Sequence, residues 1–117
     1  MGNDTNYQIR APIVPPATIA ASGSYDTGVF VAPSPGLSVG VLSSQPGILT
    51  LHRYLDAAKQ LPVGSAIAAS IVANTATVLD VNDGVPYLYC NVTVSNSSNS
   101  TAATISAFAI VASGTGH

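Results

Sequence analysis

Leu37-Ser38-Val39-Gly40-Val41-Leu42, then Ser43-Ser44-Gln45-Pro46-Gly47, then Ile48-Leu49-Thr50-Leu51-His52-Arg53-Tyr54-Leu55 is the stretch that decides the fold. In the first run Leu37, Val39 and Val41 alternate with Ser38 and Gly40. In the second, Leu49 and Leu51 share one face, and Ile48, Thr50, His52 and Tyr54 share the other. A period of two is the signature of a half-buried strand, because successive side chains on a strand point to opposite faces. The Pro-Gly pair between the runs marks a chain reversal, so the two are expected to pair as a hairpin.

Outward from this stretch the same punctuation recurs. Ala17–Ser22 is a short strand candidate closed by Gly23, Ser24–Val31 is a second, and the run Gly23–Gly28 reads as a bulged or kinked strand edge. Pro33-Ser34-Pro35-Gly36 reads as a turn. Residues 56–64 contain a stretch that resembles one helical turn, but Pro62 stops it, and the segment reads as a connection. Ser65–Val72 and Thr75–Val81 are expected to form a hairpin across Ala73-Asn74. Asn82-Asp83-Gly84 is a turn whose residues tolerate positive φ. Tyr87–Ser95 and Ala102–Ala112 are expected to form a last hairpin across a Ser/Asn/Thr loop. In its first arm Leu88, Cys90, Val92 and Val94 would face one way, with Tyr87, Tyr89, Asn91 and Thr93 opposite. In its second, Ile105, Ala107, Ala109 and Val111 would alternate with Thr104, Ser106 and Phe108.

About eight strands separated by turns every ~8–12 residues predict an all-β antiparallel sandwich or jelly-roll-like domain. The domain is expected over residues 17–113, with residues 114–117 as a tail. Residues 1–16 differ: Pro12, Pro15 and Pro16 fall among Ile9, Ile13 and Val14. Proline removes ladder donors and favours extended backbone, so this segment reads as an extended N-terminal arm.

The composition restricts function. The chain has 117 residues, enough for one domain with its own core. Only 7% of residues are charged, against about 25% in typical soluble domains. Glu is absent, and the formal net charge is −2. That leaves no basic patch for nucleic acid and no polybasic membrane signal. No apolar run is long enough for a transmembrane helix, and the N-terminus lacks a signal-peptide or myristoylation pattern. A surface of Ser, Thr, Asn, Ala and Gly with little charge points either to a protein that packs against other protein or to a secreted or particle-bound domain with a neutral surface, and both point away from a cytosolic enzyme.

Catalytic groups are few. Cys90 is alone, so no internal disulfide forms, and its place in an alternating run reads as a small buried hydrophobe. His52 sits beside Tyr54 on one strand face, a packing or interface position rather than a base. Asp80-Val81-Asn82-Asp83-Gly84 lacks the spacing and the Glu of a calcium loop. No metal ligand set and no cofactor are expected, and the chain is read as a non-enzyme. The candidate interaction residues are Tyr7, Ile9, Ile13 and Val14 on the arm, and Tyr25, His52, Tyr54, Tyr87 and Tyr89 on the domain. Tyrosines are amphipathic anchors suited to interfaces and to stacking on sugars.

From Ser24 to Ala112 the chain resembles small β-sandwich proteins of tailed-phage particles. The resemblance rests on Ser24-Tyr25-Asp26-Thr27-Gly28-Val29-Phe30, Leu37–Ser43, the Pro46-Gly47 turn and the Ser/Asn/Thr loop before an aliphatic last strand. Capsid decoration (cement) proteins and head fibres share this size, low charge and Pro-rich arm. The resemblance implies a virion structural protein on the capsid surface that stabilises the shell. Its partners would be the major capsid protein or other virion subunits, and it would form a homo-oligomer, a trimer first. No functional residue carries over from it. The alternative is a carbohydrate-binding or host-attachment module, as a head fibre or tail-associated protein.

Overall fold

The computed structural model describes residues 15–32 and 36–112. The arm residues Tyr7, Ile9, Ile13 and Val14, the C-terminal tail and most of the Pro33–Gly36 turn lie outside the described residues. Nine strands form: β1 (Thr18–Ile19), β2 (Ser24–Asp26), β3 (Phe30–Val31), β4 (Leu37–Ser43), β5 (Gly47–Tyr54), β6 (Ile67–Ile71), β7 (Thr77–Val81), β8 (Tyr89–Ser95) and β9 (Ala103–Ala112). They make two antiparallel sheets, one in the order β1-β9-β4-β7 and one in the order β2-β8-β5-β6, with β3 also on β8. The fold is an all-β sandwich.

The pairing is nested. β5 pairs with β6, β4 with β7, β2 and β3 with β8, and β1 with β9. The chain is thus one long hairpin, with its tip in the connection after Tyr54, rolled up until β4 meets β9 and β5 meets β8. This is a jelly roll. The run predicted as Ser24–Val31 is β2 plus β3, both on β8 and interrupted at Thr27–Val29. There Gly28 takes φ 78°, and Thr27 exchanges hydrogen bonds with the Val92 N–H and C=O. The interruption falls at the end of the Gly23–Gly28 run read as a bulged or kinked strand edge.

The three expected hairpins are not. β4 and β5 lie in opposite sheets, as do β6 and β7, and β8 and β9. Each connection is an arch across the sandwich. Turn chemistry marks where the chain reverses, but about five residues also span the ~10 Å between stacked sheets. At one end the arches are tied to strands: the Asn74 N–H donates to Ser43 O of β4 (2.7 Å), and the Ser44 N–H to Thr104 O of β9 (3.0 Å). Gly47 is required here, because a Cβ would collide with the carbonyl oxygen of Ser95. The loop after β8 is pinned from within by Asn96, whose side-chain amide donates to Ile19 O, Ala20 O and Thr101 O.

Two side-chain phases also differ from expectation. Tyr87 is 6% exposed and Leu88 60%, the reverse of the predicted facing. Regular pairing with β5 begins only at Tyr89, so the alternation does not extend back to Tyr87. In β9 the register slips between Leu42 and Ser43 of its partner, passing over Ser106. Ile105, Phe108 and Ile110 therefore pack on or in the core, while Ala107 and Ala109 are exposed. Leu37, Val39, Leu49, Leu51, Cys90, Val92 and Val94 fill the centre. Each such side chain contributes about 1.5–3 kcal/mol by leaving water.

Candidate functional site

The two sheets present different outer faces. On the β2-β8-β5-β6 sheet the outward residues of β5 and β8 meet in register: His52 opposite Asn91, and Tyr54 opposite Tyr89. β2 adds Asp26, opposite Thr93. The connection after Tyr54 curls back beside them. Asp56 accepts from the Gln60 and Leu61 N–H groups, Lys59 takes φ 63°, and Pro62 bridges to Tyr54. No helix forms there, as expected from Pro62.

Asp26 is the centre of this face. Its Oδ1 accepts from the Gly28 N–H (2.9 Å) and from Asn91 Nδ2 (3.0 Å). Its Oδ2 has no hydrogen bond within the described residues. Burial alone would raise this carboxyl, but the bonds from Asn91 and Gly28, with Lys59 and His52 nearby, outweigh it and hold it below the usual 3.8. Burial, and then Asp26, push Tyr54 upward. Asn91 is 3% exposed, and its Oδ1 has no partner.

The β1-β9-β4-β7 sheet presents a different surface. Gly40, Leu42, Ala76, Val78, Ala107 and Ala109 surround a shallow, almost wholly apolar hollow of about 280 Å³. Gly40 lies directly opposite Val78 on β7 and Ala109 on β9. Val78 is 64% exposed and stands as a ridge beside the hollow. At the edge of the face, Asp80 accepts from the Ser38 hydroxyl (2.8 Å).

Of the predicted interaction residues, the structure brings His52, Tyr54 and Tyr89 together on one outer face. It turns Tyr25 inward, edge-on to Phe108 of the opposite sheet at 6.2 Å. It buries Tyr87 beneath the Arg53 guanidinium, 5.4 Å from the ring centroid. Tyr87 is a core residue and is not available to a partner. Cys90 is also buried, and burial pushes its thiol up to about 12. It pairs in register with Arg53 and faces the core, while the neighbouring His52 faces outward, so thiol and imidazole do not meet. Asp80 and Asp83 diverge to Ser38 and Arg53. Among the described residues no three His, Cys, Asp or Glu side chains gather as a metal site. No helix of the described residues is long and apolar enough to cross a membrane.

Sequence reasoning missed Asp26, Lys59 and Asn91. The Asp26-Thr27-Gly28 run carried a local signal, an Asp two residues before a Gly, that marks a side-chain-to-backbone turn. Its bond to Asn91 spans 65 residues and has no local signal.

No protein family and no curated protein matches the chain. A solved structure described as PirA is similar over 96% of this chain and 95% of that chain, at 8% sequence identity and a TM-score of 0.48. A likeness this distant carries no argument about function, and points neither toward nor away from a phage particle.

Proposed function

We propose that this protein is a non-enzymatic structural subunit of a virus particle, seated on the outside of the capsid as a decoration or cement protein. The observation that carries the reading is the outer face of the β1-β9-β4-β7 sheet. It sets Gly40, Ala76, Ala107 and Ala109 around a hollow, with Leu42 and Val78 beside it and no charged side chain in its lining. An exposed face of this kind is suited to protein contact, since small side chains allow close approach and no charge must be desolvated. A jelly roll also serves lectins and cupins, so the face rather than the fold carries the reading.

The partner is the surface of the shell itself. A neutral, shallow face gives modest affinity per copy, and repetition over a symmetric shell raises the total by avidity. The scarcity of charge over the whole chain supports the same reading, as does its resemblance to decoration proteins. β1, the first described strand, lies at the edge of this same sheet beside β9.

The test is to add the purified protein to particles lacking it and to sediment the mixture. Wild type should travel with the particles. Val78→Asp should remain at the top of the gradient with an unchanged melting temperature, since Val78 lies on the surface. Deleting residues 1–16 leaves every described strand intact, and should give a folded domain that no longer binds the particle. Wild type that stays at the top contradicts the reading, as does Val78→Asp that sediments normally. Full binding by the truncated chain contradicts the arm's part in it.

A further inference from the structure

We infer that the outer face of the β2-β8-β5-β6 sheet binds a neutral saccharide, with Asp26, held in place by Asn91, receiving a hydroxyl and Tyr54 and Tyr89 flanking the ring. The inference stands apart from the virion reading and uses the opposite side of the sandwich.

This face holds unused hydrogen-bonding capacity. Asp26 is exposed, and its Oδ1 is already occupied by the Gly28 N–H and Asn91 Nδ2, which fix the carboxylate in place. Its Oδ2 is spare. Asn91 is 3% exposed, and its Oδ1 has no partner. That oxygen is covered, whereas Asp26 stands at the surface, so Asp26 Oδ2 is the acceptor on offer and the matching ligand brings a donor.

Charge narrows the class. Lys59 and His52 lie near Asp26 and disfavour a cation, while Asp26 itself disfavours an anion. A neutral ligand rich in hydroxyls remains. Tyr54 and Tyr89 are cross-strand neighbours on the same face and partly buried, so both rings are held by the sheet. An aromatic ring beside a carboxylate acceptor fits a pyranose, which has apolar C–H patches and hydroxyl edges. Asp26 Oδ2 is the acceptor that a hydroxyl meets, and the buried Asn91 positions it through the bond to Oδ1.

The experiment has two readouts on the full chain: a printed array of neutral oligosaccharides, and an amide-detected NMR titration with the methyl glycosides of glucose, galactose, mannose and N-acetylglucosamine. The expected result is signal on the array, with glycoside-induced shifts confined to Asp26–Gly28, Tyr54, Tyr89 and Asn91. Asp26→Asn keeps an oxygen for the Gly28 and Asn91 bonds but turns the spare acceptor into a donor. It should weaken binding at least tenfold at an unchanged melting temperature. Tyr54→Ala should also lose binding, and Tyr54→Phe should retain most of it. Silence on the array and in the titration overturns the inference. So do shifts that map elsewhere, or binding unchanged in Asp26→Asn.

Discussion

Arg53 is a cation at a core position. It is 6% exposed and reaches Asp83 through one nitrogen at 2.9 Å, while its Nε has no partner among the described residues. Beneath it Tyr87 also leaves its hydroxyl unpartnered, and burial is the main cause that pushes this phenol up to about 12. Breaking such a pair from the acid side leaves a buried charge uncompensated, whereas an apolar replacement of the cation removes the problem. Asp83→Asn is therefore expected to lower the melting temperature, and Arg53→Met to leave it equal or higher. The opposite order would contradict this account of the pair. The hydrogen bond from Arg53 is the largest cause that lowers the Asp83 carboxyl below 3.8. A depressed carboxyl stabilises the fold above its unfolded value, and that contribution is lost as pH falls through the folded value. The gap in melting temperature between wild type and Asp83→Asn should be full at neutral pH and close as the solution is taken below the usual carboxylate range. At this scale the sequence was half legible. Alternation along β5 separates Arg53 from His52 and Tyr54, but nothing local pairs Arg53 with a residue thirty positions on.

The strands were legible as elements because apolar alternation is written locally. β4 and β5 fall almost where Leu37–Leu42 and Ile48–Leu55 were expected. Their partners were not legible. An arch and a hairpin use the same turn residues, and the choice between them is made by pairings distant in sequence. The two phase errors have the same origin, since neither the break before Tyr89 nor the slip past Ser106 changes composition. Of the candidate faces, His52, Tyr54 and Tyr89 were within reach of the sequence, whereas the hollow over Gly40 was hidden by the β9 slip. Gly47 gives the pairing of β5 with β8 a direct test. A methyl group there meets the Ser95 carbonyl, so Gly47→Ala should cost about 3 kcal/mol by overpacking and backbone shift, read by urea denaturation. If β5 did not lie beside β8, this contact would not exist and the change would be mild.

At the scale of the molecule two properties reinforce each other. Nested pairing closes the chain on itself and leaves two outward faces of unlike character, one apolar and hollowed, the other polar and aromatic. Charge is scarce throughout, so neither face is shielded from protein contact by a solvated layer of charged side chains. The account's central claim is that the apolar face belongs to an assembly, with the chain present on it in many copies. The most direct measurement is quantitative mass spectrometry of purified particles from cells in which the chain is expressed by its own virus. The account predicts the chain in intact particles at a copy number tied to that of the major capsid protein, and its loss from particles that carry Val78→Asp. Purified particles free of the chain, with the protein wholly in the soluble fraction, would contradict it.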